Sequence, residues 1–162
     1  MTVEVAGVSR RIGLALSGGG FRAAAFHLGT LRKLDQLELL DKVDLLSCVS
    51  GGSIAGAHMA LNWGSPTALD KLGNSLAARS IAVGSVIGGI LHPFESRLNK
   101  LAATYDRDLF KGKTLGDLAA GPRLYLNATN IATGNMFFFV AGGGEKSEIG
   151  EHEMGVVEAP NF

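Results

Sequence analysis

Two short stretches of this sequence carry residues whose types and spacing could do chemistry. In "LSGGGFRAAAF" three consecutive glycines, Gly18, Gly19 and Gly20, follow an apolar run and precede a segment with helical spacing. In "CVSGGS", Ser50 ends a second apolar run, just ahead of an Ala/Gly-rich segment. Bare backbone between a strand and a helix serves two chemistries. It cradles the phosphates of a nucleotide, or it turns N–H groups toward the negative oxygen that forms when an ester is attacked. A serine at a sharp strand-to-helix turn belongs to the second chemistry, as the attacking nucleophile.

The nucleotide readings fail on context. Gly18, Gly20 and Ala23 satisfy G-x-G-x-x-A, but a dinucleotide site also wants an acidic residue at the carboxyl end of the second strand. Asp44 stands at the beginning of that strand, and the end carries "VSGGS". "GKT" at Gly112 to Thr114 imitates a phosphate loop, yet the first glycine of that pattern is missing from the "DRD" ahead of it, and "ATYDRD" is no buried strand. The serine reading holds better. In G-x-S-x-G the flanking glycines permit a strained turn that exposes the hydroxyl. Gly52 fills the second position, while the compact Cys48 stands where the first glycine is usual.

The elements that must position these residues are a strand, a helix and a strand. Ile12 to Leu16 is apolar without alternation, the pattern of a strand buried on both faces. From Arg22 to about Leu40, Ala24, Leu28, Leu31, Leu34 and Leu37 recur at helical spacing. Val43 to Val49 is a second buried strand, so the three form a right-handed parallel crossover. Both strands then end on one edge of the sheet, which brings the glycine turn beside Ser50. A helix is expected over Ile54 to Trp63, and another opens at Ser65-Pro66 and runs toward Arg79. Phe94, Leu98 and Leu101 mark a further helix, and Thr114 with Asp117 fits a capping box. "RLYLNATNI" and "MFFFV" read as a hairpin joined by Ala132 to Asn135.

Composition bounds the rest. The 162 residues are 46% hydrophobic and 19% charged, which fits one globular domain with a substantial core. Lys plus Arg equals Asp plus Glu at 15 each, so no net field draws the chain to nucleic acid. With Cys48 alone, no internal disulfide forms, and the N-terminus lacks a signal peptide's apolar core. A cytoplasmic location is expected, with peripheral membrane contact left open, and Ile81 to Leu91 reads equally as a mobile apolar segment that lines an acyl pocket or meets lipid and as a buried connector. That stretch is far shorter than the roughly 20 residues a spanning helix needs. No metal-ligand spacing or cofactor motif is present.

"SGGGFRAA", followed about thirty residues later by "SCVSGGS", resembles the patatin-like phospholipase family. The likeness runs from about Ile12 to Val140 and includes "LNATNIATG". It implies a three-layer α/β sandwich with a mostly parallel central sheet, and a lipid acyl hydrolase of the phospholipase A or lysophospholipase type working through a Ser-Asp dyad. By that analogy Ser50 is the nucleophile and Gly18, Gly19 and Gly20 form the oxyanion hole, with Arg22, Gly51 and Gly52 in support. Lipid or acyl ester is the substrate, and no cofactor is implied.

The family carries its second dyad residue in Asp-Gly-Gly or Asp-Gly-Ala, yet none of the seven aspartates here precedes glycine. The aspartate is expected from a downstream segment or a second chain. Residues 1–140 then read as a partial hydrolase domain, and 141–162 as a polar, flexible tail or the start of a remainder. Two other readings stay open: a non-catalytic lipid-binding module on the same fold, and a serine hydrolase using His152 as its base. His27 and His58 fit packed structural histidines, and Cys48 fits a small buried filler.

Overall fold

The computed structural model describes residues 3–5, 7–82, 97–118 and 120–159. A short hairpin opens the chain, with β1 (Val3–Val5) antiparallel to β2 (Val8–Arg10). The crossover follows: β3 (Ile12–Leu16), α1 (Gly20–Gln36) and β4 (Val43–Val49). Next come α2 (Gly51–Leu61), α3 (Ala68–Ala82) and α4 (Arg97–Tyr105). Four strands complete the fold: β5 (Arg123–Thr129), β6 (Met136–Ala141), β7 (Glu148–Glu151) and β8 (Gly155–Glu158).

One six-stranded sheet has the order β3-β4-β5-β6-β7-β8. β3, β4 and β5 are parallel, with Leu16 beside Cys48 and Cys48 beside Leu126. β5 through β8 continue as an antiparallel meander. The expected α/β architecture is therefore present. The parallel strands carry the chemistry-bearing turns, and the meander extends the sheet away from them.

Leu16, Leu46, Cys48 and Leu124 present one face of the sheet to the helices, where they meet Ala24, Leu28 and Leu31 of α1, Ala55 and Met59 of α2, and Leu72 and Leu76 of α3. The α1 residues recur at helical spacing, so one stripe is buried and the rest of the helix faces water. On the opposite face Gly13 and Ala15 of β3 are exposed. Burial on both faces, expected of Ile12 to Leu16, is not what this strand has: it lies at the sheet's edge, with helices on one side.

Most boundaries follow the sequence pattern. β4 has the expected limits, and the hairpin over β5 and β6 is formed. Thr114 and Asp117 make their reciprocal contact, with the Thr114 N–H donating to the Asp117 carboxylate at 2.8 Å at the start of a 3-10 turn. The polar stretch beyond Ala141 is not all tail, since β7 and β8 join the sheet there. Their four-residue strands depend on β6 as a template rather than on any strong pattern of their own. Most of the apolar run Ile81 to Leu91 lies outside the described residues, as does Phe94. Among the described residues no helix is long and apolar enough to cross a membrane.

Candidate active site

The carboxyl ends of β3 and β4 bring the two chemical turns into contact. A Cβ added to Gly18 would lie 3.3 Å from the Ser50 Cβ, so the glycine turn and the serine are immediate neighbours. Gly19 has φ 138° and Gly20 φ 63°, conformations open to glycine and strained for other residues. Gly18, Gly19, Gly20 and Ser50 are all exposed.

Ser50 sits between β4 and α2 with φ 52° and ψ −117°. A positive φ at a non-glycine residue is costly and persists only where surrounding structure enforces it. The enforcement comes from α2. A Cβ on Gly51 would fall on the carbonyl oxygen of Gly20, and one on Gly52 would fall on that of Leu16 and lie 2.8 Å from that of Ser17. The α2 backbone therefore rests directly on the turn that carries the glycines. One turn further on, Gly56 leaves room for the Cys48 sulfur.

Cys48 is thus a packing residue, as expected. Its thiol is buried, and burial pushes its pKa up to about 12, leaving no thiolate to compete with Ser50. His27 and His58 are also structural. The His27 Nε2–H donates to the Ser17 carbonyl at 2.9 Å, which pins the residue before the glycine turn to α1. The His58 Nε2–H donates to the Ala68 carbonyl at 3.0 Å, and burial lowers its pKa, which keeps the ring neutral.

Arg22, expected to support the glycine turn, is exposed in the first turn of α1, with no hydrogen bond or ion pair to that turn among the described residues. His27 does the bracing instead. A second brace went unread in the sequence. Asn127, at the end of β5, donates from Nδ2 to Ser47 Oγ at 3.0 Å and to the Cys48 carbonyl at 3.2 Å, tying β5 to the strand that delivers Ser50. The available signal was an amide in "LYLNAT", at the one end of a half-buried strand that faces the serine turn.

The same edge carries one buried carboxylate. Glu151, at the end of β7 and 5% exposed, accepts from Thr133 Oγ1 at 2.7 Å, Asn130 Nδ2 at 2.8 Å and Asn135 Nδ2 at 3.0 Å. The Thr133 bond, then that from Asn130, holds its pKa below the ordinary glutamate range. It lies three strands from β4 and fastens the β5–β6 turn. His152 follows it, exposed in the β7–β8 turn, and its backbone N–H donates to the Met136 carbonyl. Among the described residues, Ser50 Oγ has no hydrogen-bond partner, neither His152 nor a carboxylate.

This geometry offers a strained, exposed hydroxyl beside a turn of bare backbone at a helix N-terminus. That combination suits attack on a carbonyl whose oxygen gathers negative charge. Residues 14–145 match a family model described as patatin-like phospholipase. No curated protein and no solved structure matches the chain.

Proposed function

Since the chain belongs to the patatin-like phospholipase family, a family of lipid acyl hydrolases, we propose that it supplies the nucleophile and oxyanion hole for cleavage of a lipid acyl ester. The observation that carries the reading is the strained Ser50 packed against Gly18. Ser50 Oγ attacks the ester carbonyl carbon and gives its proton to a base. The N–H groups of the Gly18 to Gly20 turn hold the resulting oxyanion. Collapse of the tetrahedral species breaks the bond to the alcohol, which leaves with the base's proton. Water then attacks the acyl-serine, and the fatty acid departs as Ser50 is restored.

The base in this reading is an aspartate from outside these residues, on a downstream segment or a second chain. The positions of this chain's own aspartates support the assignment. Asp41 and Asp44 precede or begin β4, at the opposite edge of the sheet, Asp70 pairs with Arg32, and Asp117 is spent on its capping contact. The lack of a partner for Ser50 Oγ among the described residues also favours the non-catalytic lipid-binding alternative, and one experiment separates the two. Intact mass is measured after exposure to a fluorophosphonate, for this chain and for one extended by an Asp-Gly-Gly or Asp-Gly-Ala segment, with Ser50→Ala as control. The expected result is labelling that rises with the extension and is absent from the mutant. A folded, extended chain that stays unlabelled would leave lipid binding as the function.

A further inference from the structure

We infer that the carboxyl edge of the sheet is a docking surface for an uncharged or zwitterionic lipid–water interface, with Ile131 and Met154 as its inserting tips and Met136, Val49 and Phe21 behind them. The inference rests on the acyl-hydrolase reading for its choice of partner, and on the following geometry for its location.

Sheet direction collects these side chains. Phe21 follows the glycine turn after β3, Val49 precedes Ser50 at the end of β4, and Ile131 lies in the turn after β5. Because these three strands are parallel, all three positions share one edge. β7 runs antiparallel to β6 and hence alongside β5 in direction, so the β7–β8 turn with Met154 returns to that edge. The turns are fastened together. The His152 N–H donates to the Met136 carbonyl at 3.0 Å, and Asn135 Nδ2 donates to Glu153 at 3.1 Å. The tips therefore stand on a cross-linked platform.

Exposure is the second observation. Ile131 is 99% exposed and Met154 80%, with Met136, Val49 and Phe21 between 38% and 48%. A single exposed apolar residue needs no explanation, but Ile131 and Met154 in two fastened turns, with Met136, Val49 and Phe21 at strand and helix ends of the same edge, line the carboxyl side of the sheet. The turns are otherwise built of Asn, Thr, Gly, His and Glu, so water-compatible residues would serve their geometry equally well.

Charge selects the kind of interface. The exposed charges in these turns are Arg22 and Glu153, one of each sign, and among the described residues of these turns there is no group of lysines or arginines to grip anionic head groups. Binding then comes from insertion of apolar side chains and depends little on salt. The same insertion presents a lipid ester to Ser50 and the glycine turn without the lipid leaving its layer.

The test is flotation of the chain with vesicles of phosphatidylcholine, and of phosphatidylcholine mixed with phosphatidylserine. It uses Ser50→Ala, so binding is read without turnover and independently of fluorophosphonate labelling. The expected result is flotation with both vesicles, insensitive to salt, and weakened at least about tenfold by Ile131→Asp with Met154→Asp at an unchanged melting midpoint. Should the double variant melt early, Ile131→Ser alone carries the test, since that side chain touches almost nothing. Flotation undiminished by either change, flotation only with phosphatidylserine and abolished by salt, or none with either vesicle overturns the inference. Tip-dependent flotation with no labelling of Ser50 under any condition upholds the docking surface and sinks the hydrolase reading instead.

Discussion

Ser50 and Glu151 occupy the same edge of one sheet and are built on opposite principles. Ser50 is exposed, held at a positive φ by the glycine contacts of α2, and its hydroxyl has no partner among the described residues. Glu151 is buried and bonded through both oxygens to three side chains of the neighbouring turn. A carboxylate so fully engaged, with its pKa held down, is a weak proton acceptor, so its acidity serves the loop. Where the chain saturates a polar group it gains rigidity; where it strains one and leaves it open, it keeps a hydroxyl accessible.

Several substitutions can break or sharpen that contrast. The largest effect belongs to Gly52→Ala, whose Cβ would overlap the Leu16 carbonyl; we expect a loss of upwards of about 3 kcal/mol, read by chemical denaturation. If Gly52→Ala proves as stable as the parent, α2 does not hold Ser50 in strain. Asn127→Ala removes the tie from β5 to the serine strand and is expected to cost about 1–2 kcal/mol while slowing fluorophosphonate labelling of whichever form reacts. Ser50→Gly should do the reverse for stability. It relieves the positive φ and gains about 1 kcal/mol of unfolding free energy by chemical denaturation while abolishing labelling, a stability-for-function exchange that Glu151 cannot show.

Glu151→Gln gives the smallest change, and it depends on pH. The folded-state pKa of Glu151 lies below the ordinary glutamate value of 4.5. Its contribution to stability is therefore present above that value and is lost as pH falls through the folded pKa. A melting series from neutral pH into acid should show the parent converging on Glu151→Gln, with the two separated only at the neutral end. Parallel curves would mean that the carboxylate's charge contributes nothing to the loop.

The crossover that positions the site was legible because its signals are local. Apolar runs, a helical stripe and two glycine-bearing turns specify β3, α1 and β4, and parallel pairing then brings Gly18 to Ser50. What went unread depends on partners distant in sequence. His27 reaches Ser17 across the first turn of α1, and Asn127 reaches Ser47 from another strand. No periodicity announces either bond. Arg22 looked like the brace because of its place next to the glycines, whereas the hydrogen bond comes from a residue one turn further into the helix. β7 and β8 escaped notice because "EIGE" and "GVVE" are too short to show a pattern, and only the free edge of β6 makes them strands.

The mixed sheet also sets two scales of loop closure. β5 to β8 are joined by short turns, so their pairings close small loops. Pairing of β4 with β5 brings Leu45 against Arg123 across the intervening helices. Contacts that enclose so much chain are slow to form, because the entropy of closure is spent before they contribute. The join between the Ser50 crossover and the meander is thus the slowest pairing to close, whereas the crossover itself encloses only the chain between Gly13 and Leu45. Asn127 Nδ2 lies at that join, at the seam between two halves of the sheet that each close over shorter stretches of chain.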